Sequence, residues 1–404
     1  MLIRDLIQLT QTEIQDFIFV HEGDDEKKLI LTRKEILGVS TSMLAQQISG
    51  RRKAKTKLPT WYKTRNIIYP ISLNLEQCSS EATAQFRGEA IKNLLIERRK
   101  VVDLTGGLGV DSFFLENYFS ETVYVEPDQS VLEIAKHNNK LLGSNGVAYI
   151  NQKAEEFLKT NKTSVSLFYI DPSRRSKTAT KLFKLMDCAP DITSLQAVMF
   201  EQAEFVLLKA SPLLDIQQGL REIKNVKKVW VLSVENECKE LLFLAQKNFT
   251  TEPEIEAVNL NLMGGVLNTF SFRLSEERES KLIEGILAEN LYEPNASILK
   301  AGAFKLVAKR FDLQKMQMNT HLYTSNKLIL DFPGRVFKIE KINPDSKEMR
   351  KSLPQGKANV ATRNYPLSAD ELKRKLKLKD GGEKFVIGFS EQKRKTIVIA
   401  ERIK

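Results

Sequence analysis

From residue 100 onward the chain alternates short apolar runs with amphipathic stretches. Apolar runs at 101–105, 122–126, 147–151, 166–171, 204–210, 226–234 and 268–274 have the length of strands, and helical spacing fills most gaps, including 110–118, 130–142 and 154–160. Repeated βα units of this kind predict a mostly parallel sheet covered by helices on both faces. The last two runs are followed by no helix within the unit and are expected to make an antiparallel edge. Residues 1–90 read as mainly helical. Thr32-Arg33-Lys34-Glu35 fits a capping box, a helix-permissive run starts at Ser42 and is broken by Pro59 and Trp61, and Ser79 or Ser80 caps a helix running towards Arg98. Lying just ahead of the sheet, the segment 75–84 is expected to fold over any pocket there as part of its wall.

After Arg273 the polar run 275–280 marks a boundary. Residues 291–304 and 319–325 then suggest a small α+β unit, and Asp331 to Arg335 a further turn. A second capping box, Ser368-Ala369-Asp370-Glu371, opens a basic helix that stops at Asp380-Gly381-Gly382, with 384–389 and 396–401 closing the chain as a hairpin. The expected division is 1–90, 91–275, 276–333 and 334–404.

Charge sharpens this division. The net charge is +11, and residues 334–404 hold 19 Lys and Arg against 9 Asp and Glu, a surplus of ten, so the rest is nearly neutral. A second basic stretch, 51–65, has no acidic residue and includes Trp61 and Tyr62. Two basic areas outside the sheet suit a protein that tracks phosphates, since each neutralised phosphate releases counterions; a plain solvated surface is the other reading. Cys78, Cys188 and Cys238 are odd in number and widely spaced, and His21, His137 and His321 are scattered, so neither a disulfide framework nor a metal site is expected. No apolar run reaches the ~18 to 20 residues of a membrane helix. The first twenty residues carry Asp5, Glu13 and Asp16 without a basic leader, and a cytoplasmic location is expected.

The candidate chemistry sits at the strand ends. Between 101–105 and the next helix lie Gly106, Gly107 and Gly109, which let the backbone turn sharply and approach a ligand. Asp103 is expected to face the pocket at the end of the first strand, and Glu126, ending the second, to accept hydrogen bonds from ribose hydroxyls. Ser112 stands where a dinucleotide fingerprint needs its third glycine, and no P-loop lysine is present. An acidic residue ahead of the turn suits a ligand with a cationic amino-acid portion better than a pyrophosphate. S-adenosylmethionine meets that demand, with Thr105 and Pro127 in the same two turns as further contacts. At the fourth strand end, Asp171 is placed to orient an amine, with Pro172 beside it. Arg174 and Arg175 are placed to bind a phosphate or stack on a base. Lys209 and Pro212, ending the fifth strand, are expected at the same rim.

The run Asp103-Leu104-Thr105-Gly106-Gly107-Leu108-Gly109-Val110-Asp111 resembles the first motif of class I S-adenosylmethionine-dependent methyltransferases, 123–128 their second, and Ser166 to Pro172 the motif ending their fourth strand. The whole chain is similar to bacterial methyltransferases with a THUMP-like domain. The resemblance implies a Rossmann-like α/β sheet, mostly parallel with an antiparallel edge, behind an N-terminal helical domain. It also implies small C-terminal α+β units, a ferredoxin-like one at 276–333 and a THUMP-like one at 334–404. By the same resemblance Asp103 meets the methionine end of the cofactor, Gly107 and Gly109 form its cradle, and Glu126 holds the ribose. An RNA substrate, rRNA or tRNA, is implied because THUMP domains accompany RNA-modifying enzymes. Departures from the pattern are Asn151 to Glu155, which leave the adenine contact unassigned, and Ser173 and Arg174 in place of a second proline and an aromatic. The atypical Arg174 and Arg175 motivate a second reading, an RNA-binding protein with a silent methyltransferase-like domain; a third, a methyltransferase acting on something other than RNA, is disfavoured by the basic 334–404 segment.

Overall fold

The structure, a computed structural model, describes residues 3–70, 72–174, 184–391 and 394–404. It divides into two compact units, the first comprising residues 1–235, 239–253 and 260–267 and the second the remainder.

The first unit is built on seven strands: β1 Lys100–Asp103, β2 Glu121–Val125, β3 Val147–Ile150, β4 Val165–Ile170, β5 Ala203–Ala210, β6 Val226–Val234 and β7 Glu237–Gln246. They lie in the order β3-β2-β1-β4-β5-β7-β6. Pairings among β1 to β5 are parallel, and β7 runs antiparallel to β5 with Leu241 opposite Ala210. In β4 every residue but Ser166 is buried, as expected for a parallel strand covered on both faces. The chain leaves β1 towards β2 on one side, while β4 returns on the other. The crevice at the carboxyl ends of β1 and β4 is therefore the switch point where open α/β sheets bind ligands.

The antiparallel strand differs from expectation. It is β7, inserted beside β5, and it follows β6 through Glu235 and Asn236, which both have positive φ (49° and 64°). Two left-handed residues make the turn that matches strand twist, but Glu-Asn is a weaker signal for it than Asn-Gly. The 268–274 strand is present as Val266–Phe272.

In the N-terminal segment no helix opens at Thr32, where the sequence predicts a capping box. Thr32 ends the helix Glu26–Thr32, and Glu35–Ile36 pairs with Val39–Ser40. Ser40 caps helix α1, Thr41–Lys57, by accepting from the Met43 N–H, and Ser80 caps α2, Glu81–Leu94. Residues Ala54, Leu58, Trp61, Ile67, Tyr69, Leu75 and Ala84 bury a common core with Leu108 and Val110 of the glycine turn. The helical segment therefore braces that turn. The 51–65 stretch is not a bare basic surface: Arg51 pairs with Glu22, Arg52 with Glu26, Lys53 with Glu76 and Arg65 with Asp16. Acidic residues distant in sequence neutralise much of the charge that looks unopposed within the segment.

In the second unit seven strands form one sheet. With β8 Glu254–Leu260 and β9 Val266–Phe272 preceding them, they are β10 Asn290–Pro294, β11 Gln314–Gln317, β12 Thr320–Ser325, β13 Gly334–Ile342, β14 Asn359–Arg363, β15 Lys384–Glu391 and β16 Arg394–Arg402. The order is β11-β12-β10-β13-β16-β15-β14. Strand β10 pairs with β13 over five residues, so hydrogen bonds run across the expected 333/334 division. Buried Glu293 on β10 receives Arg335 and Arg363 from beyond that division. The Ser368 capping box and the closing hairpin are both present.

Candidate functional site

The site grows out of the turn after β1. Gly106 packs so closely on the Tyr124 ring that a Cβ would lie 2.2 Å from it. Gly109 has φ +71° and caps helix α3, Val110–Glu116, where a Cβ would meet Asn139 Nδ2 at 2.8 Å. Both positions require glycine, one for space and one for conformation as well. Tyr124 Oη donates to the Gly107 carbonyl at 2.6 Å and fixes the outer half of the loop. Beneath it, Asp103 is 1% exposed. Its carboxylate accepts from the Thr105 N–H at 3.1 Å and from Ser112 Oγ at 2.7 Å, and burial pushes its carboxyl up to about 6. Asp103 thus holds the turn closed from below and does not line the pocket, contrary to the expectation that it faces a ligand.

Glu126 follows β2 at the opposite lip. Its Oε2 accepts from the Gly107 N–H at 3.0 Å and its Oε1 from the Asp128 N–H at 2.9 Å. Each oxygen retains a lone pair. Burial raises the carboxyl above the usual range, opposed by those two N–H groups. Asn151 Nδ2 bonds the carbonyls of Glu126 and Pro127 at 2.8 and 3.0 Å, clamping the loop from the end of β3. Asp128 then caps the helix Gln129–Leu141 through the Ser130 and Val131 N–H groups.

Between these lips opens a cavity of about 610 Å³, lined by Thr105 to Leu108, Glu126 to Asp128, Lys153 to Glu155, Gln77 to Ser79 and Asp171. Its size lies within the ~300–1,000 Å³ typical of small-molecule sites. Gln77, Cys78 and Ser79 form the wall expected of the segment ahead of the glycine turn. Lys153, Ala154 and Glu155 come from the run left unassigned for adenine.

Asp171 is anchored from two sides. Its N–H donates to Thr105 Oγ1 at 2.7 Å, and its Oδ2 forms an ion pair with Lys209. The Lys209 ammonium also donates to Ser79 Oγ at 3.0 Å, and Ser79 Oγ in turn donates to Asp111 Oδ2 at 2.8 Å. Asp111 pairs with Arg87, which pairs with Glu240 at 2.6 Å, and Tyr169 Oη reaches Asp111 at 3.1 Å. A chain of alternating charges therefore runs from the cavity into the core, as burial of ions demands. Sequence reading placed Lys209 at the rim; it stands behind Asp171 and Ser79. Arg87, Asp111 and Glu240 were not foreseen. The available signal was a lysine inside Leu207-Leu208-Lys209-Ala210, since a charge in a buried strand requires a partner.

Of the remaining expected residues, Thr105, Gly106, Gly107, Glu126 and Pro127 converge on the cavity, whereas Gly109 acts from the turn. Pro172 carries the chain to Ser173, which lines the cavity, and Ser173–Arg174 pairs with Cys188–Ala189. Arg175 and the side chain of Arg174 lie outside the described residues. Among the described residues no group of His, Cys, Asp and Glu is disposed to hold a metal, and no helix is long and apolar enough to cross a membrane.

Comparison with known proteins identifies relatives of the chain. Residues 291–333 match a ferredoxin-like domain and residues 334–402 a THUMP domain-like family. The crystal structure of a candidate methyltransferase from Porphyromonas gingivalis W83 is 30% identical, covers 100% of this chain and 99% of its own, and superposes with a TM-score of 0.85. An rRNA methylase from Streptococcus thermophilus (13% identity, 42% of this chain and 98% of its own, TM-score 0.31) adds nothing to the assignment at that level. The same holds for a candidate methyltransferase from Streptococcus mutans in complex with SAH (12%, 40% and 96%, 0.31). No curated protein matches. On the full-length match and the C-terminal domains, the chain belongs to the methyltransferase family of the P. gingivalis protein, with a class I methyltransferase sheet and a THUMP-like C-terminal segment.

Proposed function

We propose that this protein is an S-adenosylmethionine-dependent methyltransferase that modifies a base in structured RNA. The observation that carries the cofactor is Glu126: its two oxygens are oriented by backbone N–H groups and keep lone pairs for a vicinal diol. Thr105, Gly106, Gly107 and Pro127 complete the cradle, and Asp103 acts by shaping it. Bound there, the cofactor supplies a methyl group on a sulfonium. Transfer from it needs an aligned acceptor and excluded water more than covalent help. Asp171, beside the cradle, accepts a hydrogen bond from an acceptor amine and aims its lone pair. RNA as acceptor is supported by the THUMP-like match and the surplus of cations in residues 334–404.

Calorimetry tests the cofactor. Wild type is expected to bind S-adenosylmethionine, and Glu126→Ala to bind on the order of 10- to 100-fold more weakly, the loss of one or two charge-assisted hydrogen bonds. No binding by wild type sinks the reading. A second reading, an RNA-binding protein with a silent cavity, draws on the Lys209 pairing that occupies one oxygen of Asp171. Transfer of labelled methyl to total RNA from cells lacking the protein decides between the two.

A further inference from the structure

We propose that Lys209 is a positioning residue for methyl transfer: it locks the Asp171 carboxylate so that only Oδ1 faces the acceptor, and so selects an acceptor atom that carries a hydrogen. The inference rests on the methyltransferase reading above. Lys209 is buried on β5, does not line the cavity, and contacts two residues that do, Asp171 through Oδ2 and Ser79 through Oγ. The Asp171 backbone is fixed independently by Thr105 Oγ1. With backbone and Oδ2 both held, the carboxylate cannot rotate, and Oδ1 remains as a single acceptor directed by the fold.

Several features argue that this pair serves orientation and not stability alone. A buried ion pair is often no more stabilising than an apolar pair of similar volume. Its anionic end is also the less buried one, the Asp171 side chain being 29% exposed against 10% for Lys209. Asp111, the next anion inward, pairs with Arg87 and accepts from Ser79 and Tyr169, and among the described residues the Lys209 ammonium forms its ion pair with Asp171.

A carboxylate so paired accepts hydrogen bonds and does not donate them. An exocyclic amine offers the hydrogen it requires, whereas a bare ring nitrogen would set lone pair against lone pair. In the transfer, the acceptor nitrogen forms its bond to the methyl carbon as the carbon–sulfur bond breaks and the electron pair returns to sulfur. The proton that nitrogen then sheds passes to Oδ1 of Asp171 and on to water.

The test compares wild type, Lys209→Met and Lys209→Arg, using labelled cofactor and RNA from cells lacking the protein, with the double variant Lys209→Met/Asp171→Asn as a charge-neutral folding control. The proposal expects Lys209→Met to bind S-adenosylmethionine as wild type does and to keep its KM for RNA. Its kcat is expected to fall on the order of 100-fold, the scale of a misplacement near 1 Å. Lys209→Arg is expected to recover most of it. An unchanged kcat in Lys209→Met overturns the proposal, as does loss of cofactor binding in that variant while the control still binds. If wild type binds no cofactor or methylates no RNA, the functional reading fails instead. Crystal structures then decide the role of Lys209: Asp171 displaced in Lys209→Met supports it, and Asp171 in its original orientation overturns it.

Discussion

Asp103 shows how the fold can place a residue away from the surface its sequence position suggests. An acidic residue before a glycine turn draws attention in the sequence, yet its oxygens serve Thr105 and Ser112, and burial raises its carboxyl from 3.8 to about 6. Because the folded value lies above the unfolded one, the native state holds the proton more tightly. The stability this contributes is complete below about pH 4 and is lost as pH rises through about 6. The loss amounts to on the order of 2–3 kcal/mol. Asp103→Asn, nearly isosteric, is expected to remove that slope; urea unfolding at a series of pH values measures it, and equal slopes in both proteins would exclude the account. Arg87 is the second case at this scale. It is 1% exposed and pairs with Asp111 and Glu240, so Arg87→Met leaves two buried carboxylates without their shared cation. Breaking such an arrangement costs about 3–5 kcal/mol, and thermal unfolding should show it.

At the scale of elements, most strands of the first unit were legible because buried parallel strands are continuous apolar runs separated by helical spacing. The β7 strand was not, because its connection uses Glu235 and Asn236 in place of a recognisable turn pair. The false capping box at Thr32 has the opposite cause: the local pattern was right, but residues 35–40 closed on themselves as a short ladder. The glycine turn is the element on which the site depends. Gly109→Ala forces φ +71° on a residue with a Cβ and pushes that Cβ against Asn139. A loss of about 1–3 kcal/mol is expected, together with weakened cofactor binding, since α3 would start from a displaced cap. Calorimetry and unfolding on the same variant separate the two effects.

For the whole molecule, charge matters through its distribution. The 51–65 cations are largely paired, whereas Lys347, Arg350, Lys351, Arg374, Lys375, Lys377 and Lys379 of the second unit are exposed. Replacing Arg374, Lys375 and Lys377 by glutamate is expected to lower RNA affinity and flatten its salt dependence. The slope of log K against log salt should shrink by about one unit for each phosphate that is no longer neutralised. Cofactor affinity should not change, and RNA binding that keeps its slope would remove these residues from the interface. Truncation at residue 333 is a poor substitute, since it strips β13 and β16 from the sheet that holds β10.

The sequence by itself determined the class of fold, the glycine turn and the position of Glu126 and Asp171 at strand ends, because each depends on local pattern: apolar period, glycine spacing, a charge at a strand end. Only the tertiary structure decided that Asp103 points down and not out, that the 51–65 cations have partners, and that Lys209 stands behind Asp171. Those outcomes depend on which distant groups share a low-dielectric space, such as Ser79 with Asp111 and Arg87 with Glu240, and no local pattern records such pairings.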